Sequence, residues 1–521
     1  MQHDAQRRPD TPGWPGDLAC RDALRTHLQR PHTAHTWFLL DDLQSAASWL
    51  LWSHRMASPF GALPGSAFAD HARSLGVALS PYVMSRAESG TGSGWAAAIP
   101  GYEVALGLAP ATLLAPLRAA SRLQPDTAES ATLLDQARLP DDPSVVDECY
   151  DTYLTGGRLP GHRWIQLAQL LTESDSTHLP RELLRQWIFR LVDEFMRSIN
   201  YAYYCRMEAA SMLAAHPTTA PLLLDAVTTL AAAPGASGTR DAWGLLGDVA
   251  DIATITRIVD RLPTSDDEQF GGFCVALWQH IHLVLLPRHL SATLADVLIE
   301  RTATWTLASM EPLAVLATAF PVRHRDRVLA AIDAIHPMAR MSGGRQARSI
   351  DAELAVYLEF AEAASWPGHS NSVLREMLRV VLSADSSGVQ FHTTSLLQVS
   401  PYATALTNAA LHLIDAPDTS AETAQLAMYL VSRLATSDNA DAVAALVERA
   451  EPDLAGIGLT TSAHLRHDLG DERLRKLASQ PHTASLAVYY AGISQHPLLH
   501  SAAFAGASAD WWATRSGGCW D

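Results

Sequence analysis

"ADHARSLGVALSPYVMSRAESG", residues 69–90, decides how this chain is read. It holds a helix end, a turn and a new helix start within a few residues. Ala72 is small enough to let a second helix cross closely, and Gly76, four residues on, supplies the positive φ that a tight turn needs. Ser80 suits an N-cap and Pro81 suits the first helical position. On the helix that follows, Met84 and Ala87 share one face with Val83, whereas Tyr82, Ser85 and Arg86 fall on another. Gly90 ends it. The pattern predicts a helix-turn-helix whose second helix packs through Met84 and Ala87 and presents Tyr82, Ser85 and Arg86 outward.

The flanks extend this into a small all-α unit. "TWFLLDDLQSAASWLLWSHRM" (36–56) reads as a very apolar helix before the turn. "GWAAAIPGYEVALGL" (94–108) and "APATLLAPLRAASRL" (109–123) read as two more after it. "SRAESG", Ser85 to Gly90, resembles the end of the recognition helix in the Cro/C1-type (XRE) helix-turn-helix family. "GYEVALGL", Gly101 to Leu108, resembles that family's fourth helix, and "ATLLAPLRAASR" its fifth. The resemblance covers roughly residues 40–123, under a fifth of the chain. The span from Gly76 to Gly90 is about two residues longer than the family's usual turn and helix, His71 stands where an aliphatic residue is usual, and "SPFGALPG" is a long first connection.

The resemblance implies double-stranded DNA as a partner, with Ser80, Tyr82, Ser85 and Arg86 at the interface. Arg86 is the best base or phosphate contact, because a guanidinium pairs bidentately with guanine or with phosphate. Ala72, Gly76, Glu88 and Gly90 would form the structural turn, with Glu88 tied to a first-helix arginine such as Arg55. The plainer reading of Arg86 and Glu88 is a pair of solvated charges on a capped helix.

Beyond this unit, "QPDTAES…ARLPDDPSVVDE" (124–148) is rich in Pro and Asp and reads as a linker. From about 149 to 505, apolar helical segments return in pairs every 30–40 residues, punctuated by Pro or Asp. That is the period of an α-solenoid of HEAT or armadillo type; a non-repetitive helical bundle is the alternative. Residues 1–34 form an N-terminal arm with a short helix at 17–30, residues 35–123 the helix-turn-helix domain, and residues 506–521 a tail. The tail's Trp511, Trp512 and Trp520 are expected to fold back over the last repeat. "INYAYYCRM" (199–207) reads as core at the start of the solenoid.

Composition bounds the function. The 521-residue chain carries a formal net charge of −17, unevenly spread. Residues 1–34 hold five Arg against four Asp, and residues 35–125 hold five Arg against five acids, so nearly all the negative charge lies in the body. An acidic body excludes a protein coated all over with nucleic acid, and leaves a near-neutral head as the DNA-binding part. Five scattered cysteines without a C-x-x-C read as reduced thiols. No run of 18 apolar residues predicts a membrane span, and no secretory signal opens the chain, so a cytoplasmic protein is expected.

Chemistry-bearing motifs are scarce. His280, His282 and His289 lack the i,i+3 or i,i+4 spacing of helical metal ligands, and His464, His467 and Asp468 lack a clear third ligand. No Walker loop, nucleophile elbow or Cys–His constellation is present. We therefore expect no metal, no cofactor and no enzyme. The expectation is a sequence-specific DNA-binding transcriptional regulator whose helical-repeat domain dimerises, binds a protein partner or senses a small-molecule effector. The alternative is a HEAT-like interaction scaffold whose N-terminal bundle does not bind DNA.

Overall fold

The computed structural model describes residues 43–91, 94–122, 133–134, 137–173, 179–249, 252–282, 288–302, 316–317, 320–335, 350–364, 372–383, 387–515 and 517–520. Every regular element among them is helical, and no helix among them is long and apolar enough to cross a membrane. The N-terminal arm and its expected helix at 17–30 lie outside the described residues, as do residues 124–132 of the linker. The described stretch that follows already turns helical at Ser144.

Five helices form the head: α1 (Leu43–Ala57), α2 (Gly65–Ser74), α3 (Pro81–Ser89), α4 (Trp95–Ala105) and α5 (Leu114–Ser121). Local chemistry sets each boundary. The α2 end is a Schellman motif, with Val77 N–H on Ala72 O, Gly76 N–H on Arg73 O, and Gly76 at φ 79°. Ser80 then caps α3 by accepting the Val83 N–H at 3.2 Å, with Pro81 at the first helical position. Gly90, at φ 64°, closes α3.

The body continues as α6 (Ser144–Thr155), α7 (Gly161–Glu173), α8 (Arg181–Phe195), α9 (Tyr201–Ala215), α10 (Ala220–Ala231), α11 (Thr239–Gly244), α12 (Ile252–Arg261), α13 (Asp267–His282), α14 (Arg288–Thr302) and α15 (Val322–Ile335). Its second half runs α16 (Asp351–Ala363), α17 (Ser372–Ser383), α18 (Ser387–Gln398), α19 (Ala403–Asp415), α20 (Ala421–Leu434), α21 (Ala440–Ala445), α22 (Pro452–His464), α23 (Asp471–Ala478), α24 (Ala484–Ser494) and α25 (Ala507–Ala513). Helices pack on their near neighbours in sequence: α7 on α9, α8 on α10, α11 on α13, α19 on α20, α20 on α22 and α22 on α24. This is the one-dimensional packing of an α-solenoid.

The solenoid curls until its ends meet. Cys519 pairs with Ser198 in an isolated bridge, and Cys519 N–H donates to Arg197 O at 2.8 Å. Arg515 joins Asp193 at 2.8 Å. Trp511 and Trp512 are buried, and Trp520 donates its indole N–H to His464 O at 3.1 Å. The tail thus covers the last repeat and also fastens it to α8.

Head and body share one continuous apolar core. Helix α1 is buried almost all round, as a helix apolar on every side must be. One side meets α3, α4 and α5, and another meets the body, where Trp49 stacks on Tyr402 with ring centres 5.9 Å apart. Helix α5 packs on α9 and α18. The boundary near residue 123 marks a change of helix pattern rather than a gap in the packing.

Candidate nucleic-acid interface

The helix-turn-helix is assembled from inside outward. Met84, Ala87 and Ala72 are fully buried, and Val83 is half-buried beside them. Glu88 is buried as well and is held by three donors. Arg55 Nε and Nη2 reach its two oxygens at 2.6 and 2.8 Å, and the Tyr102 hydroxyl reaches Oε1 at 2.6 Å. This bidentate pair anchors α3 to α1, and Tyr102 adds α4. Burial, with the Glu88 carboxylate next in effect, drives the Tyr102 hydroxyl well above its ordinary pKa. It stays a donor.

The neighbouring Glu103 organises the start of α5. Its carboxylate accepts the backbone N–H groups of Ala111, Leu113 and Leu114 at 2.8, 2.7 and 3.1 Å. Burial raises its pKa to about 7, and those three N–H donors pull the other way. The "GYEVALGL" resemblance places Glu103 on this helix without implying a role for it. A lone acidic residue inside the otherwise apolar run "GYEVALGL" is the signal that the sequence carries for it.

Opposite the buried side of α3, Ser80, Tyr82, Ser85 and Arg86 are all exposed. They lie on one accessible strip, as the spacing predicted. Arg86 is not idle there: its Nη1 donates to the Tyr82 hydroxyl at 2.7 Å and its Nε to Thr91 O at 3.1 Å. The strip is therefore preset, but Arg86 must exchange these bonds to meet another acceptor. His71, the departure from the family pattern, reaches Ala105 O at 3.1 Å and stacks on Phe60, which fills the aliphatic position with a ring.

The histidines weighed as metal ligands are placed apart. His280 is buried against Leu246 O, and His464 bonds the Tyr489 hydroxyl at 2.8 Å, while His467 faces Asp441. The side chains of His282 and His289 lie outside the described residues. Among the described residues, no cluster of three His, Cys, Asp or Glu side chains forms a metal-ligand set.

A histidine the sequence did not single out sits on the seam between head and body. His54 of α1 bonds Val399 O at 2.6 Å, and burial lowers its pKa to about 4 despite that bond. The neutral ring is the folded form. In the unfolded chain the ring takes a proton as pH falls below about 6.5, whereas in the fold it does not until about 4. Stability is therefore expected to fall by about 1.4 kcal/mol per pH unit across that window from this group alone. Glu103 has the opposite sign, since its raised pKa removes stability as pH rises towards 7. Replacing only His54 isolates its share: His54→Gln should flatten the acid limb of a denaturant midpoint-against-pH curve, and an unchanged slope would assign the acid sensitivity elsewhere.

Compared with protein-family models, with curated proteins and with solved structures, the chain has no match. The likeness to the Cro/C1-type family therefore stands on the residues named above.

Proposed function

We propose that the protein is a sequence-specific DNA-binding transcriptional regulator working in the cytoplasm, with α3 as the reading helix and the solenoid as a dimerising, partner-binding or sensing body. The observation that carries this is the two-sided build of α3. Its inner side is clamped by Arg55 and Tyr102 through Glu88, and its outer side leaves Ser80, Tyr82, Ser85 and Arg86 uncovered. A helix held that firmly and left bare on one face suits insertion into a major groove. A single helix buries too little surface for high specificity, so a homodimer reading paired half-sites belongs to the proposal. Light scattering that returned the monomer mass of 56.3 kDa with and without DNA would remove the dimer.

One observation favours the scaffold alternative. The Arg86 guanidinium already has two internal acceptors, and the other described arginines of the head, Arg55, Arg73, Arg118 and Arg122, are each paired with a carboxylate. The deciding experiment is Arg86→Ala. Genomic fragments that co-purify with the protein supply the binding site. On that site the variant is expected to lose roughly 1–3 kcal/mol and to relax preference at one base position. If Arg86 meets only phosphate, the loss is uniform across sequences and the salt slope falls by about one. A folded variant with wild-type affinity would take α3 out of the DNA-reading role and leave the scaffold.

A further inference from the structure

The seam that closes the solenoid is built like a site that holds a peptide. Residues 517–520, Gly-Gly-Cys-Trp, lie across four pieces of the body: the α6–α7 loop, the α8–α9 turn, the end of α22 and the end of α24. Gly517, Gly518 and Cys519 are buried there, and Trp520 is half-buried.

The body meets this segment mainly through its backbone. Cys519 pairs in parallel with Ser198. Its N–H donates to Arg197 O at 2.8 Å, and its carbonyl accepts the Ile199 N–H at 3.1 Å. The Gly518 N–H donates to Ile493 O at 2.9 Å. Arg197 and Arg158 donate from Nη1 to the carbonyls of Gly517 and Gly518. Such contacts belong to a peptide added as a strand, where main-chain bonds give affinity and pockets give sequence preference.

The preference is set at both ends of the segment. Gly517 has φ 81°, and a Cβ on it would overlap Gln495 Cγ. A Cβ on Gly518 would stand 3.2 Å from the terminal methyl groups of both Ile199 and Ile493. At the other end, the Trp520 ring centre lies 4.2 Å from the Arg466 guanidinium, and its indole N–H donates to His464 O at 3.1 Å. The seat therefore selects two glycines, one small buried residue and a tryptophan.

We propose that residues 517–520 are a detachable latch: the seat is a peptide-binding site, this segment is its resident ligand, and a segment of the same sequence replaces it in trans. The latch goes beyond the regulator reading and depends neither on DNA nor on α3.

Fluorescence anisotropy of a labelled peptide, RSGGCWD (515–521), titrated with the full chain under reducing conditions tests it. Gly517→Val in the protein is expected to dislodge its own segment, and Trp520→Ala does so while keeping both glycines. Circular dichroism checks that both variants are folded. A tethered segment competes at an effective concentration on the order of millimolar, so wild type should bind the peptide at least about tenfold more weakly than either variant. The peptide carrying Gly517→Val should bind the opened protein about tenfold or more weakly than the native peptide. Wild type also gives a reading that needs no variant. Peptide at millimolar concentration should displace the latch and speed hydrogen exchange at the Cys519 N–H of the protein about tenfold or more. Unchanged exchange there overturns the proposal. So does equal affinity of wild type and the folded variants, or equal binding of the two peptides.

Discussion

Glu208→Ala is expected to lower stability by roughly 3–5 kcal/mol, and to lower it for head and body together. Glu208 sits on α9 and is buried. Two arginines of the head converge on it: Arg118 of α5, Nη1 to Oε1 at 3.3 Å, and Arg122, which bonds Oε2. Asp248 adds a weaker partner for Arg122 at 3.8 Å. Removing the carboxylate leaves Arg118, whose side chain is 5% exposed, bonded to Leu134 O but without this counter-charge, beside a second guanidinium. That is the costly case for a buried pair, in which one partner goes and the other stays. Glu208→Gln should cost less, because an acceptor for Arg118 remains. Denaturant unfolding followed by tryptophan fluorescence and by circular dichroism reads the result. Coincident, earlier transitions are the expected outcome. A head that melts first while the body's midpoint holds would show that the seam carries no shared stability.

The same seam changes what truncation does. The sequence suggests that a fragment from about 150 onward stands alone. In the structure, α5 covers a face of α9 and α18, and α1 covers Tyr402. Cutting at the linker uncovers those apolar faces and leaves Glu208 without its two arginines, so the fragment should aggregate.

What the sequence disclosed follows from the range of each interaction. Gly76, Ser80, Pro81 and Gly90 act within five residues of themselves, and their roles were legible in a short string. Helix α3 divided into faces as the spacing required, with Met84 and Ala87 in and Tyr82, Ser85 and Arg86 out. Arg55 as the partner of Glu88 came from the family resemblance. Glu208 and Arg118 lie 90 residues apart, and His54 and Val399 lie 345 apart. No local pattern marks such pairs. "INYAYYCRM" reads as core, and Tyr204 and Cys205 are buried in it. Tyr203 on the same helix is half-buried and packs on that core, against Phe195 and Phe391. Closure of the solenoid depends on the tail reaching Arg197, just past α8 and some 320 residues away.

Glu88→Ala is expected to destabilise the head by roughly 3–5 kcal/mol and to abolish any DNA binding by α3. The loss has two parts. Arg55, whose side chain is 11% exposed, keeps a charge that nothing nearby neutralises. Tyr102 keeps a buried hydroxyl without its acceptor, which adds about 1–3 kcal/mol to the cost. The functional loss follows from geometry: α3 is fixed through this carboxylate to α1 and α4, so the exposed strip drifts when it goes. A charge-free replacement separates the two effects. Arg55→Met with Glu88→Leu removes both charges and fills the space with apolar atoms, so it should recover most of the stability. Tyr102→Phe added to that pair removes the orphaned hydroxyl and should recover more. If the clamp serves only to hold α3, the repacked variant should bind the selected DNA site nearly as well as wild type. A coupling energy between Arg55 and Glu88 below about 1 kcal/mol, from the double-mutant cycle, would mean that burial of Met84 and Ala87 holds the helix and the ion pair is incidental.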